Sequence, residues 1–479
     1  MAETREMAET RELHGRKVIY ADVEEVDAQN VVSVLEKAVE KNDQNVSDIK
    51  YLYDYYKGDQ PILDRTKDFN ENICNKVVEN RANEIVSFKT GYFLSAPIQY
   101  IDAGEDEVSD DLKTLNTWLR LESKADSDLQ LAEWFSICGT AFRLILPKVE
   151  TVFEGESPFE FFTLDPRTSF VVYSSKLGHK PLMGVTYTVS ADNEDEKTYN
   201  VYTKDTFYVI YDGKIISAES HALGAVPIIE YPANSARMGD FEVVIGLLDA
   251  INNVQSDRAD GIEQFIQSIL CLENMQLDSE EEDTFMTRVR EVGGLLIPEG
   301  GKAYYLSQQL NQGDSQTLKD DLYEAVLTIC GMPNRNGGSS TSDTGSAVLL
   351  RDGWSAAEAR AKNTETCFEK SERQFLNFVL YYANTLGGTN IEITQVDIRF
   401  PRRNYTNDSA KVTNLVTMLS NDWIAPQQAF EHSDMFPDPD AAFMEAKKWH
   451  DEQEKKQSES LANVYNVDNT EIAEEDNAE

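Results

Sequence analysis

The sequence predicts an α+β chain, predominantly helical and built from several modules. Two patterns and the length carry this. Apolar residues recur at sums of three and four on both sides of a polar, Gly-rich segment, and the period drops to two between Ala141 and Ile229. A chain of 479 residues has the length for three or four modules. An apolar content of 41% and an aromatic share of 10% place it among folded proteins rather than disordered ones.

The first residues repeat themselves, MAETRE and again MAETRE, and read as a mobile charged arm over 1–30. Val31 to Lys57 has helical spacing and ends in YLYDYYKGDQPIL, where Gly58 and Pro61 stop it. Its Tyr51, Tyr53, Tyr55 and Tyr56 read as core packing and interface rather than as a platform for stacking single-stranded nucleic acid. Asn75 to Tyr92 has the spacing of a second helix, with Val78, Ala82, Ile85, Val86 and Lys89 on its faces. Pro97 to Ile101 reads as a short strand, and Leu112 to Leu119 and Leu129 to Cys138 as two amphipathic helices. FRLILP, TSFVVYSS, LMGVTYTVS and TFYVIY are then strand-like runs of a mostly antiparallel sheet, and Asp212-Gly213 is the strongest hairpin signal in the chain.

Helical spacing returns at Glu242 and runs through Leu248, Ile251, Val254, Ile262, Phe265, Ile269 and Leu272, interrupted by the polar patch QSDRADG. That is about thirty residues, or roughly 45 Å. The cluster DSEEED follows, then VGGLLIPEGGKAYYL, which reads as a small β unit, then a helix from Gln316 to Ile329. GMPNRNGGSSTSDTGS comes next, too polar to pack and too Gly-rich to hold one shape. Leu350, Trp354, Ala357, Ala361, Phe368, Phe375, Val379, Tyr382 and Leu386 then mark a helix near forty residues, about 60 Å long, with Gly353 as a kink site. Ile391 to Phe400 reads as a strand, and Ser409 to Ser420, Pro426 to His432 and Asp440 to Ser460 as helices, with Asp440 as a cap. The last residues read as a solvated acidic tail.

Charge and motifs exclude more than they establish. Acidic residues outnumber basic ones 85 to 44, a net charge of −41, so the average surface repels nucleic acid. A conventional DNA-binding module clusters Lys and Arg over roughly 6–10 phosphate contacts. No GxxxxGK[ST], HExxH or GxSxG is present, so no catalytic residue is predicted. His14, His179, His221, His432 and His450 are scattered and read as surface imidazoles. Cys74, Cys138, Cys271, Cys330 and Cys367 show no CxxC spacing and read as reduced thiols. The DSEEED carboxylates could hold a divalent ion, but a charge run is ordinarily a solvated face. No metal or cofactor is predicted. No apolar run is long enough to span a bilayer and no secretory signal pattern opens the sequence, so no membrane partner is expected.

The order of elements resembles that of tailed-bacteriophage portal proteins, the head–tail connectors, in the branch common among long-tailed phages. The resemblance runs from about Tyr51 to Lys456. It is carried by YYKGDQPIL and NKVVENRANEIVSFKTGYFLSAPIQY, and by LLDAINNVQSDRADGIEQFIQSILCLEN, similar to the family's first stem helix. TLKDDLYEAVLTICGMPN resembles the second stem helix, DTGSAVLL the turn opening the long helix (with Thr344 in place of a serine), and IAPQQAFEHSDMFPDPDAAF a short C-terminal motif.

The resemblance implies a portal-type fold with an α/β wing, helical stem, small α/β clip and C-terminal helical crown. In these terms the chain divides into the arm (1–30), wing (31–238), first stem helix (239–274), clip (275–313), second stem helix (314–331) and tunnel loop (332–345). The long helix with a wing strand (346–406), crown (407–460) and acidic tail (461–479) follow. It further implies a homo-oligomeric ring, usually of twelve subunits, in the virion at the capsid portal vertex, assembled in the host cytoplasm. Its partners would be the terminase large subunit, head-completion or adaptor proteins, major capsid and scaffolding proteins, and double-stranded DNA passing through the channel.

Pro333, Asn334, Arg335, Asn336, Gly337, Gly338, Ser339, Ser340 and Thr341 would then line the channel, Arg335 supplying the cation nearest phosphate. Asp278, Glu280, Glu281, Glu282, Asp283, Arg288, Arg290 and Lys302 would lie on the clip facing terminase. Two other classes stand beside this one: an acidic metal-dependent phage nuclease using DSEEED, and a minor capsid or scaffold component.

Overall fold

A computed structural model describes residues 13–67, 72–102, 109–148, 155–190, 196–221, 223–266, 269–273, 302–306, 312–334, 353–401, 408–433, 435–436 and 439–475. The chain is mixed helix and sheet and forms two compact units. One comprises Met1–Leu13, Tyr53–Glu84 and Val243–Cys330; the other comprises His14–Leu52, Ile85–Glu242 and Gly331–Glu479.

In the first unit, α1 (Val31–Lys57) ends where Gly58 takes a φ of +105°. Buried Tyr55, near its end, donates to Asp249 Oδ1 at 2.9 Å. The stretch from Asn75 to Asn80, expected as helix, is extended, and α2 covers Arg81–Phe93. The reason lies in α5 (Ile245–Ile266). The backbone N–H groups of Asn75, Val77 and Glu79 donate to Asp260 Oδ1 (2.6 Å), Ser256 Oγ (3.0 Å) and Asn252 Oδ1 (2.8 Å). Two extended residues advance about 6.6 Å and four helical residues about 6 Å, so a period of two on one strand meets a period of four on one helix face. Ser256 and Asp260, in the polar patch that interrupts the apolar stripe of α5, and Asn252 one turn before it thus form an acceptor row for an extended strap. Glu79 also pairs with Lys319 (3.0 Å), and Arg81 lies over the Tyr323 ring, both residues on α6 (Gln312–Cys330).

Helix α5 ends earlier than its periodicity predicts. Ile269 and Leu272 belong to strand β11 (Ile269–Glu273), antiparallel to β12 (Lys302–Leu306), so the last apolar positions of the stripe serve a ladder rather than a helix. KAYYL is a strand, as expected of the small β unit; the rest of that unit lies outside the described residues.

In the second unit, residues 14–30 do not behave as a mobile arm. Ile19–Ala21 form β1, parallel to β5 (Ser169–Ser174), and Arg16 is buried against Glu242 at 2.7 Å. One carboxylate accepts from Arg16, from the Gly15 amide and from the Gly239 amide. That concentration of charge-assisted bonds outweighs the disorder suggested by the flanking charges. Residues 1–12 lie outside the described set.

A six-stranded sheet has the order β1-β5-β6-β7-β8-β9, with β6 at Pro181–Val189, β7 at Lys197–Tyr202, β8 at Thr206–Tyr211 and β9 at Lys214–Ser220. Asp212 and Gly213 both have positive φ, +47° and +67°, as a two-residue turn between twisted strands requires. A second sheet runs β10-β3-β4 (Ile228–Pro232, Thr140–Pro147, Phe159–Leu164), and β2 (Gln99–Asp102) pairs with β13 (Val396–Arg399).

Helix α3 (Asp110–Leu121) opens on Ser109, whose hydroxyl accepts from Leu112 N, and buries Leu112, Leu115, Trp118 and Leu119. With α4 (Lys124–Cys138) and α7 (Trp354–Leu386) it closes a core that includes Phe135, Phe159, Phe368 and Phe375. Helix α7 has 33 residues, and Gly353 is its N-cap at φ +85° rather than an internal kink.

The C-terminal segment has α8 (Asp408–Leu419), α9 (Pro426–Ser433) and α10 (Pro439–Glu475). Asp440 is the second residue of α10, not its cap; Pro439 takes the first position, where its missing N–H costs nothing. The helix continues to Glu475, into the segment expected to be a solvated tail, since 458–475 contains neither Gly nor Pro to end it.

Candidate functional site

The polar segment between the two long helical patterns is the strongest candidate, and the structure describes its root. Helix α6 ends at Cys330, and Gly331 turns the chain with a φ of +63°. Met332 and Pro333 are then buried. A Cβ placed on Gly353, at the far end of the segment, would lie 3.8 Å from both the Met332 carbonyl oxygen and Pro333 Cα. A Cβ on Gly331 would lie 3.0 Å from Arg360 Cγ. The described ends on either side of the segment, Met332–Pro333 and Gly353, therefore lie side by side.

Aromatic packing secures that root. Phe88, Tyr92 and Trp354 have ring centroids 5.8–6.2 Å apart, and Tyr92 Oη donates to Glu358 at 2.9 Å. Farther along α7, Glu372 is fully buried and accepts from Tyr100 Oη (2.5 Å) and Tyr231 Oη (3.0 Å). It also pairs with Lys124 (2.9 Å) and Arg143 (3.5 Å). Arg143, at 0% exposure, pairs with Asp128 at 2.7 Å and stacks on the rings of Phe375, Phe161 and Tyr231 at 4.7–5.3 Å. Burial pushes the Glu372 carboxyl upward, but Lys124, Arg143 and the Tyr100 hydroxyl outweigh it and hold its pKa below the ordinary value. Burial and the Glu372 charge push the Tyr100 hydroxyl well up. This network holds α7 and, being buried throughout, offers no face to a substrate.

Of the sequence-predicted channel residues, Pro333 and Asn334 sit at the root; Arg335, Asn336, Gly337, Gly338, Ser339, Ser340 and Thr341 lie outside the described residues. Of the expected clip residues, Lys302 is on β12, opposite Glu273 at 3.9 Å, and exposed. Asp278, Glu280, Glu281, Glu282, Asp283, Arg288 and Arg290 lie outside the described residues. Cys271 falls on β11, and the other four cysteines are free thiols. Among the described residues, the carboxylates and imidazole of His450, Asp451 and Glu454 come within 4.8 Å of one another, all exposed on α10. Exposed acidic groups gather this way without an ion, so no metal centre is read there.

Sequence reasoning did not find the Glu372 network. One signal was available: Glu372 interrupts the apolar stripe between Phe368 and Phe375, where a charge has to be buried and paired.

The sequence profile of the family described as phage portal protein, SPP1 Gp6-like, matches residues 35–459. The chain belongs to this family. Phage portal proteins are structural components, not enzymes. Among solved structures, a chain in the neck of an empty GTA particle computed with C6 symmetry is similar at 10% identity and a TM-score of 0.43. The match covers 74% of this portal protein and 90% of that chain. A chain in the neck of a native GTA particle computed with C12 symmetry is similar at 9% identity and a TM-score of 0.41, covering 75% and 92%. No curated protein matches the chain. Among the described residues of this portal protein, no helix is long and apolar enough to cross a membrane.

Proposed function

We propose that this portal protein assembles into a ring, of twelve subunits, at the unique capsid vertex of a virion built in the host cytoplasm. DNA enters during packaging and leaves at ejection through the ring's axis. The ring docks the terminase large subunit at the clip and later the head-completion or adaptor proteins, and sits among major capsid and scaffolding proteins. The chain itself turns over no nucleotide and cuts no DNA.

Membership of the portal family over residues 35–459 is the observation that carries this proposal. Two physical features support it. Twelve copies at −41 come to about −490, a field that keeps DNA from adhering to a conduit wall. Screening over roughly 8 Å at physiological salt confines the effect to the wall. The polar segment from Arg335 to Thr341 also carries one cation and two glycines, so it touches phosphate weakly and adapts to a moving strand. No observation among the described residues favours a nuclease.

Negative-stain microscopy of the purified full-length protein tests the ring: particles with a central hole are expected, and monomers at every concentration and salt would overturn it. Deleting Asn336 to Ser342 tests the loop. The expected result is intact rings that fail to package or retain DNA. Wild-type packaging by that deletion would make the segment an ordinary surface loop.

A further inference from the structure

Among the described residues, helices α8 and α9 and the start of α10 enclose a small core of three buried residues, Leu415, Ala429 and Phe430, with Met418, Ile424, Phe436, Ala442, Phe443 and Ala446 packed partly buried against it. Other apolar side chains of this segment point outward. On α8, Val412 is 45% exposed, Val416 60% and Leu419 43%, spaced four and three residues apart, and Trp423 beyond the helix is 96% exposed. A helical unit of roughly 40 residues with so small a core is completed by oligomerisation or by another staple.

The charge pattern identifies what covers it. From Val412 to Asn421 there is no charged residue, although the chain is 27% charged and ten positions would carry about three. Eight of those ten residues are exposed. Gln374–Ile391, another long uncharged stretch, has half of its residues buried in the body core. Two copies of a −41 chain repel wherever their charged faces meet, and an uncharged face removes that penalty. A basic partner would be drawn by carboxylates, which this face lacks.

We propose that the α8 face of Val412, Val416, Leu419 and Trp423 is a contact to a second copy of this chain. Resting on the ring reading, it names a specific seam of that ring. The face meets a different surface of the next copy, because a head-to-tail contact closes a ring whereas a self-complementary one stops at a dimer.

The test uses the full-length chain with Val416→Cys, and Leu177→Cys as a reference, because Leu177 is fully exposed at a hairpin tip. Maleimide labelling of each introduced thiol is followed by peptide mass spectrometry in separated ring and monomer fractions. The thiol at position 416 should label at least tenfold more slowly in rings than in monomers, where it should match the thiol at position 177. Val416→Glu should raise the concentration at which rings dissociate at least tenfold, with the monomer's circular dichroism unchanged. Rings that form normally while the thiol at position 416 labels as fast as in monomers would overturn the seam and leave the ring standing. A wild-type chain that never forms rings would overturn both.

Discussion

Arg143 lies at 0% exposure in the body of the larger unit, while Trp423 stands 96% exposed among the C-terminal helices. The two residues invert the usual partition, and for opposite reasons. Arg143 is inside because Asp128, Glu372 and three aromatic rings replace the water it lost. Trp423 is outside because the helices around it have no core deep enough to take it. Among the described residues, the body buries its large side chains in a deep core, whereas the C-terminal helices leave Val412, Val416, Leu419 and Trp423 exposed.

The largest test of that contrast is Glu372→Ala. It leaves the buried cations Arg143 and Lys124 with Asp128 as their one remaining carboxylate partner, one positive charge uncompensated, and should cost about 3–5 kcal/mol in urea unfolding. A loss below about 1 kcal/mol would mean the network is hydrated and does not hold α7. The same network sets an acid limit. Despite their burial, Glu372 and, in a separate, largely buried pair with Arg237, Glu230 are held below their ordinary value of 4.5, so the stability they add is present above that value. It is lost as the pH falls through their folded-state values. The urea midpoint should therefore drop on acidification below about pH 4.5, and Glu372→Gln should flatten the drop.

Gly139→Ala comes next. Gly139 closes α4 at a φ of +82°, and a Cβ there would lie 2.0 Å from the Arg237 carbonyl oxygen. The left-handed backbone together with this overlap should cost about 2 kcal/mol or more, read as a lowered thermal midpoint. The smallest effect belongs to the C-terminal helices. Val416→Ser should change monomer stability by less than about 0.5 kcal/mol, because the side chain is largely exposed and leaves no cavity in the small core behind it. A larger loss in the monomer would show that these helices are stabilised internally after all, and the contrast with the body would fail.

Much of the fold was legible. The ends of α1, the α3–α4 pair and the Asp212-Gly213 hairpin follow from local rules: an apolar period of 3.6 residues, a capping serine, and a turn that needs positive φ. The candidate site was legible as a polar interruption between two helices, since no packed core accepts such a composition. The root was not, because Gly331 and Gly353 are 22 positions apart and only folding brings them together. The buried charge network was not legible either: Lys124, Asp128, Arg143 and Glu372 come from three separate elements. Asn75 to Asn80 shows the same limit in reverse. Its spacing suits a helix, yet Asn252, Ser256 and Asp260 offer acceptors at a pitch that draws it out straight.

By itself, then, the sequence determined the periodic elements, the acidity, the family and the place of the polar segment, because each rests on composition or on neighbours within a few residues. Only the tertiary structure decided that residues 14–30 are bound, that β11 takes the last apolar positions of the α5 stripe, that an arginine is buried and that a face of valines is not. Those outcomes depend on which distant groups come within about 3–4 Å, where a hydrogen bond or an ion pair outweighs local propensity.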